Sequence, residues 1–190
     1  MDASQRTLRA HIGKVVSLTD DEFADVLAHF SLQTFKKRQQ IIQEGKEVKY
    51  LYFILSGLVK LVYTDRDINQ HILSFAMEDW WETDFQAFYQ QQKALLSLEC
   101  IEDTAVYRLS LASFFDICQQ SPKMQSFFLQ KSIGGHISSQ KRILSFLTSN
   151  AKERFDQLIE TSPSLIQRVP KSTLAAYLGV SRETLSRFSR

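Results

Sequence analysis

The last twenty residues of the chain, 171–190, read KSTLAAYLGVSRETLSRFSR. Leu174 and Leu178 lie four residues apart, which places them on one face of a helix. Gly179 follows where a left-handed residue can end a helix at low steric cost, and Ser181 is a good N-cap for a second helix. The stretch therefore predicts two short helices joined by a tight turn, the pattern of a helix-turn-helix.

The second of these helices has one apolar and one polar face. Leu185 and Phe188 lie on the apolar side. The opposite side carries polar groups that can reach base edges and phosphates: Arg182, Glu183, Ser186, Arg187 and Arg190. Any αα-hairpin shows apolar residues three and four apart around a glycine. The same spacing combined with a basic outer face favours a DNA-binding motif whose second helix lies in a major groove.

The charge of the chain is divided unevenly between its two parts. The net charge is +2, but residues 1–110 hold 12 Lys and Arg against 16 Asp and Glu, whereas residues 111–190 hold 11 against 5. Duplex DNA carries about one negative charge per ~1.7 Å. The basic C-terminal part therefore favours nucleic acid as a partner.

Length and composition restrict the class of protein. The 190 residues, 44% of them hydrophobic and 14 of them phenylalanine, predict one sizeable domain and one small one. No apolar run approaches the ~18 residues of a membrane span, and the N-terminus lacks the apolar stretch of a secretion signal. We expect a cytoplasmic protein with no membrane partner. Cys100 and Cys118 are too few for a disulfide framework, and His71 and His136 lack metal-ligand spacing, so no cofactor or metal site is expected.

Many short strands are predicted between residues 35 and 109. Residues 50–65, YLYFILSGLVKLVYTD, are rich in β-branched and aromatic residues and are interrupted at Ser56-Gly57, as in a strand–turn–strand. Residues 71–75 and 97–109 supply further short strands. This pattern predicts a compact β-sandwich or barrel-like roll.

A long helix is predicted from Pro122, a residue well placed at a helix start, to about Leu147. Residues at threes and fours along it form a surface for a partner helix: Met124, Phe128, Ile133, Ile137, Gln140, Leu144 and Leu147. Packing against the β-domain of the same chain is the alternative use of that surface. Gly134 and Gly135 each cost ~1 kcal/mol relative to alanine, and close approach of two helices would offset that cost. A helix over 150–160 and a short strand over 166–169 are predicted to follow.

This order of elements resembles the CRP/FNR (cyclic-nucleotide-receptor-type) family of bacterial transcription regulators over nearly the whole chain. The resemblance is carried by Glu44-Gly45, by the YLYFILSG hairpin of residues 50–57 and by residues 169–187, in which SRETLSR over 181–187 is the most specific part. It implies an α+β chain with three parts. These are a cyclic-nucleotide-binding-domain-like double-stranded β-roll (a jelly roll) over 1–121, a dimerisation helix over 122–148, and a helix-turn-helix DNA-binding domain over 149–190 that lacks most of the wing.

The resemblance also implies roles for single residues. Arg182 and Arg187 would read guanine, and Glu183 would accept from cytosine N4. Phosphate contacts that fix the register would come from the start of the first helix. The candidate DNA-binding set is Lys171, Ser172, Thr173, Ser181, Arg182, Glu183, Thr184, Ser186, Arg187 and Arg190. Glu183 alternatively serves as a helix N-terminal charge or as a partner that orients Arg187.

The effector region departs from the family pattern. In nucleotide-binding members a Gly-Glu pair holds the ribose, and an Arg followed by Ser or Thr holds the cyclic phosphate. Thr83 and Asp84 stand at the first pair and residues 93–96, Lys-Ala-Leu-Leu, at the second; leucine cannot bond a phosphate, so cyclic nucleotide is not expected as a ligand. The candidate effector pocket comprises Trp81, Thr83, Asp84, Phe85, Lys93, Leu95 and Leu96. Its aromatic residues fit either an apolar site or a closed core.

Two functions agree with these observations. The first is a homodimeric, sequence-specific transcription regulator whose recognition helices enter major grooves about one turn (~34 Å) apart, so that its target is an inverted repeat in double-stranded DNA. The second is a ligand-sensing or partner-binding β-roll module whose truncated helix-turn-helix no longer binds DNA. An enzyme is not expected, because the sequence holds no Gly-rich phosphate loop and no nucleophile elbow. An unidentified small-molecule effector and RNA polymerase are further partners to consider; the DNA sequence and the sign of regulation stay open.

Overall fold

The computed structural model describes residues 1–188 of the chain. It begins with two helices, α1 (Ala3–Gly13) and α2 (Asp20–Leu27), which open with capping boxes at Asp2 and Thr19. Within the described residues, eight strands and one short helix follow: β1 (Phe30–Phe35), β2 (Gln40–Ile42), β3 (Tyr50–Ser56), β4 (Val59–Thr64), β5 (Gln70–Ala76), β6 (Trp81–Glu82), α3 (Phe85–Gln90), β7 (Ser97–Cys100) and β8 (Thr104–Ser110).

The strands form two antiparallel four-stranded sheets, with the orders β1-β8-β3-β6 and β2-β7-β4-β5. The predicted α+β chain with an N-terminal β-roll is therefore confirmed. The strands predicted on either side of Ser56-Gly57 exist, but they do not pair as a hairpin: β3 pairs with β6 and β8, and β4 pairs with β5 and β7. The chain changes sheet at Gly57, whose φ is +102° and where a Cβ would lie 2.6 Å from the Asp103 carbonyl oxygen. Only glycine fits this corner.

The main core lies between the two sheets and extends beneath α1. Its fully buried side chains include Phe53 and Ile54 from β3, Leu98 from β7 and Leu109 from β8. Helix α1 adds Leu8 and Ile12 to the same cluster. Burial of each such side chain stabilises the fold by roughly 1.5–3 kcal/mol.

Helices make up the remainder of the described chain: α4 (Leu111–Gln120), α5 (Pro122–Thr148), α6 (Ala151–Thr161), α7 (Pro163–Arg168), α8 (Lys171–Leu178) and α9 (Arg182–Phe188). The predicted long helix is present, with Ser121 as its N-cap and Pro122 in its first turn. The strand predicted over residues 166–169 is wrong: α7 occupies this stretch, and Leu165 is buried in a second core among the C-terminal helices. Within residues 1–188, no helix is both long and apolar enough to cross a lipid bilayer.

Helix α5 has two different environments along its length. Met124, Phe127 and Phe128 in its first turns are buried in the main core. Beyond them, every residue from Ser132 to Lys141 is exposed. The helix therefore leaves the surface of the roll with its middle portion surrounded by solvent, although Ile133 and Ile137 lie there.

Candidate functional site

The helix pair α8–α9 is built as the sequence pattern predicts. Gly179 adopts the left-handed conformation (φ +72°) after α8, and the Val180 amide donates to the Ala175 carbonyl (3.0 Å), which closes the helix end. Ser181 caps α9: its Oγ accepts from the Thr184 amide at 3.2 Å. The apolar sides of the two helices meet in a buried layer of Leu174, Ala175, Leu178 and Leu185.

The candidate DNA-binding residues lie on α8 and α9 outside this buried layer. Lys171 and Ser172 are exposed at the start of α8, and Arg182, Glu183 and Arg187 are exposed on α9, together with the N-cap Ser181. Thr173, Thr184 and Ser186 are half-buried beside them. Arg190 lies outside the described residues. Every described member of the predicted set is therefore at least partly exposed to solvent, on α8, on α9 or at the turn between them.

Hydrogen bonds order part of this surface. Thr184 Oγ1 accepts from Arg187 Nη2 at 3.1 Å and lies 3.2 Å from Ser181 Oγ, so three side chains one helical turn apart are connected. Glu183 instead interacts with its own amide and with the Ser181 hydroxyl, which lowers its carboxyl pKa. This position suits the helix N-terminal charge considered for Glu183, and among the described contacts Thr184 orients Arg187.

Two arginines missed by the sequence reasoning attach the helix pair to the preceding helices. Arg154 of α6 donates to the Leu178 carbonyl (2.9 Å) and the Ser149 carbonyl (2.6 Å). Arg142 of α5 donates to the Tyr177 carbonyl at 3.2 Å, and its guanidinium lies 3.7 Å from the centre of the Tyr177 ring. Burial lowers the pKa of Arg142 from its usual value. Neither side chain belongs to a sequence motif, so only the folded structure identifies them.

The two halves of the predicted effector pocket meet at Asp84. This carboxylate is 2% exposed and caps α3 by accepting from the Ala87 amide at 3.1 Å. Its other oxygen accepts from the Leu95 amide (2.9 Å) and the Leu96 amide (3.1 Å). A carboxylate of the chain itself therefore takes three backbone N–H donors, an arrangement that stabilises an anion.

The residues before Asp84 are also buried and internally satisfied. Thr83 is fully buried, and its hydroxyl donates to the Tyr50 carbonyl at 3.0 Å. Glu82 is buried between the sheets, where it accepts from the Ser74 hydroxyl at 2.7 Å and from the Thr83 amide at 3.1 Å. Burial raises the pKa of Glu82 to about 7.

Leu95 and Leu96 reach Asp84 through their backbone amides only, and no described hydrogen bond joins Trp81, Phe85 or Lys93 to this carboxylate. Trp81 packs in the aromatic core, 5.0 Å from Phe53 between ring centres, and its indole N–H donates to His11 Nε2 at 3.0 Å. Burial lowers the pKa of His11 to about 4, so this imidazole is neutral at pH 7 and can accept. Phe85, Leu95 and Lys93 are exposed, and Leu96 is half-buried.

An apolar stripe runs along the exposed part of α5. Its members are Leu129, Ile133, Ile137, Leu144 and Leu147, each at least 45% exposed. An open groove of about 490 Å³ between α4 and α5 continues this stripe and is lined by Leu129, Phe115, Phe128 and Cys118 among others. Within residues 1–188, a methyl group at Gly134 or Gly135 would have no neighbour within 4 Å.

Comparison with known proteins places this geometry in context. Residues 32–121 match the family model of the cyclic nucleotide-binding domain, whereas no curated protein sequence matches the chain. Among solved structures, FixK2 from Bradyrhizobium japonicum matches with a TM-score of 0.73 at 19% identity, over 84% of this chain and 82% of that one. CLP, a c-di-GMP-responsive global regulator of Xanthomonas campestris, matches at 0.68 and 17% identity, over 90% and 89%. A CooA mutant from Carboxydothermus hydrogenoformans matches at 0.69 and 17% identity, over 87% and 77%.

These matches define residues 32–121 as a domain of the cyclic nucleotide-binding fold. The chain shares the order of β-roll, long helix and short C-terminal helices with CRP/FNR-type regulators over most of its length. The resemblance inferred from its sequence motifs is thereby confirmed at the level of the fold.

Proposed function

We propose that this protein is a homodimeric, sequence-specific DNA-binding transcription regulator, not an enzyme, whose β-roll does not bind cyclic nucleotide. The observation that carries the proposal is the surface of α8–α9, where basic and hydroxyl side chains lie exposed on a helix pair with a buried apolar layer and a glycine turn. Residues 1–121 act as the sensor domain, 122–148 as the dimerisation helix and 149–190 as the DNA-binding domain.

DNA recognition is assigned to α9 and to the start of α8. Arg182 and Arg187 present guanidinium forks to guanine O6 and N7, and Glu183 accepts from cytosine N4; each good contact contributes about 1–3 kcal/mol of discrimination. Lys171, which is exposed at the start of α8, contacts phosphate together with its hydroxyl-bearing neighbours and fixes the register. RNA polymerase is a further partner of the DNA-bound regulator.

The dimer is assigned to the apolar stripe of α5. An isolated helix whose middle is exposed on all sides is marginal in water, and two consecutive glycines weaken it by a further ~2 kcal/mol in total. A second copy of α5 packed along the stripe would bury Ile133, Ile137 and Leu144 and offset this cost. Two-fold symmetry then presents two copies of α9 to an inverted repeat.

The position of Asp84 supports the exclusion of cyclic nucleotide. Asp84 stands where the ribose-binding glutamate of nucleotide-binding members would be, and it takes the amides of Leu95 and Leu96, which stand where their arginine and hydroxyl residues would be. A phosphate brought to these amides would meet a buried negative charge, at a cost of several kcal/mol. With cyclic nucleotide excluded, regulation would depend on an unidentified effector or on the amount of the protein.

Titration of the purified protein with labelled duplexes at several salt concentrations tests the proposed function. A protein that neutralises several phosphates shows a linear and steep fall of log K with log[salt]. We expect this fall for wild type and a shallower slope for Lys171→Ala. Cyclic AMP at millimolar concentration is expected to leave Tm unchanged. Binding that is absent or independent of salt would refute the DNA-binding function and favour a β-roll module that binds another ligand or partner.

A further inference from the structure

The C-terminal unit (helices α6–α9, residues 151–188) and the β-roll share one apolar cluster. Leu58, the first residue after the Gly57 corner, is fully buried in this cluster, and Ile101 of the loop after β7 is buried with it. Leu165 of α7 and Val169 before α8 are members of the same cluster. Separation of the unit from the roll would expose these apolar side chains to water, so their burial stabilises the attached arrangement.

Arg168, the last residue of α7, joins the unit to two loops of the roll. Its Nε and Nη2 donate to the two oxygens of Glu102 at 3.0 and 2.7 Å. Its Nη1 and Nη2 donate to the two oxygens of Glu78 at 2.8 and 3.0 Å. Glu78 also accepts from the Gly57 amide at 2.8 Å. The Arg168 cluster (Arg168, Glu78 and Glu102) thus uses the full fork of the guanidinium, which a lysine could not reproduce.

A second attachment lies on the other side of the unit. Arg142 of α5 donates to the Ile72 carbonyl of β5 at 3.0 Å as well as to the Tyr177 carbonyl of α8. The rings of Phe75 on β5 and Tyr177 are 4.7 Å apart between centres. The contacts at β5 and at the Gly57 corner together restrain both translation and rotation of the C-terminal unit.

The attached arrangement leaves the DNA-facing surface free. The unit contacts the roll through Leu165, Arg168, Val169 and Tyr177, whereas Arg182 and Arg187 remain exposed to solvent. The contact with the roll therefore holds α9 in position without covering it.

We propose that Arg168 is a positioning residue for DNA recognition, which holds α9 at a fixed place on the β-roll and so sets the half-site spacing that the dimer accepts. This inference rests on the proposed function. Two half-sites are bound at once only when the two recognition helices are held at the matching separation, and the gain from the second contact depends on that geometry. A loosened C-terminal unit still binds one half-site but loses the gain from binding two.

The experiment compares wild type with Arg168→Gln, Arg168→Lys and Glu78→Gln on three kinds of duplex. These are the inverted repeat that wild type selects, the same repeat with one or two base pairs inserted between the half-sites, and a single half-site. We expect Arg168→Gln to lose about ten-fold in affinity for the repeat, to discriminate less against the inserted spacings and to keep its half-site affinity. Arg168→Lys retains the positive charge but not the guanidinium fork, so its affinity for the repeat should lie between those of wild type and Arg168→Gln.

Arg9→Gln is the matched control, because it also removes one positive charge and one ion pair, with Asp20 at 2.6 Å, outside both the C-terminal unit and the dimerisation helix. It should leave spacing preference unchanged. Hydrogen exchange of residues 163–178 without DNA reports the attachment itself; it should rise most in Arg168→Gln, less in Arg168→Lys and Glu78→Gln, and not in the control. Unchanged spacing preference and exchange in Arg168→Gln would overturn the inference, as would an equal loss on half-site and repeat. If wild type binds no duplex, the proposed function fails, while increased exchange would still support the attachment.

Discussion

Replacement of Ile137 by aspartate tests the proposed dimer at the centre of the apolar stripe on α5. Ile137 is 45% exposed in the single chain, and Ile133 and Leu144 on the same stripe are 50% and 59% exposed. Complete burial of an isoleucine side chain contributes about 1.5–3 kcal/mol. Burial of the exposed half therefore contributes about 1 kcal/mol per copy, and about 2 kcal/mol in a symmetric dimer.

Aspartate at this position also brings two carboxylates into an apolar contact across the two-fold axis. The cost of placing these charges there adds at least ~1 kcal/mol. The total of about 3 kcal/mol corresponds to a rise of about 100-fold in the dimer dissociation constant. Analytical ultracentrifugation over a range of protein concentrations measures this change directly.

Ser139→Asp is the control for this prediction, because it places the same charge on an exposed position of the same helix away from the stripe. The fold of the single chain is expected to survive in both variants, since α5 is anchored by Met124 and Phe127 in the main core. Equal sedimentation of wild type and Ile137→Asp at every concentration would refute the assignment of the dimer contact to the stripe.

Three further predictions concern the roll and the DNA surface. Glu82→Gln should raise the free energy of unfolding by about 3 kcal/mol above pH 7 and have little effect below pH 4.5, because burial raises the pKa of Glu82 from 4.5 to about 7 in the folded state only. Wild-type stability should therefore fall as pH rises across that window in thermal denaturation, and a pH-independent difference between the two proteins would contradict the assignment. Asp84→Ala should lower the free energy of unfolding by about 3 kcal/mol in urea titrations, since three amides lose their acceptor; a loss below ~1 kcal/mol would show that the cap contributes little. Arg182→Ala should relax specificity at one base pair in each half-site, whereas Lys171→Ala should weaken binding to all sequences about equally. Competition titrations with single-base variants of the duplex distinguish these two patterns. The reverse pattern would contradict the roles assigned to Arg182 and Lys171.

Local sequence signals were sufficient to predict helix ends at positions where a single residue type determines the backbone conformation. Gly179 has the left-handed conformation that ends α8, and Ser181 caps α9. Pro122 stands in the first turn of the long helix, as its fixed φ favours. These positions depend on contacts within a few residues, which a sequence pattern contains.

Contacts distant in sequence were not predictable in the same way. The hydrophobic alternation over residues 50–65 indicates two strands, but their assignment to different sheets depends on β7 and β8, which follow much later in the chain. Residues 166–169 carry Ile and Val, which favour a strand, yet Pro163 begins α7 and Leu165 packs in the second core. Tertiary packing overrides the weak local preference.

In the candidate sites too, features set by local sequence could be predicted, and contacts between distant residues could not. Exposure of Arg182 and Arg187 on α9 follows from helical periodicity, so the solvent-facing position of these two candidate residues could be predicted. The departure of Asp84 from the family pattern was also visible in the sequence. Its acceptance of the Leu95 and Leu96 amides required the backbone path of the loop after α3. The pairing of Arg168 with Glu78 and Glu102, 90 and 66 residues away, left no local signal.

Selection of bound sequences from a random pool of duplexes, by the purified protein without added ligand, tests whether a dimer of this chain recognises DNA. We expect enrichment of an inverted repeat with half-sites one helical turn apart and with G·C pairs at the positions that Arg182 and Arg187 read. Enrichment of no sequence, or of an isolated site without two-fold symmetry, would contradict a dimeric regulator that binds DNA through α9.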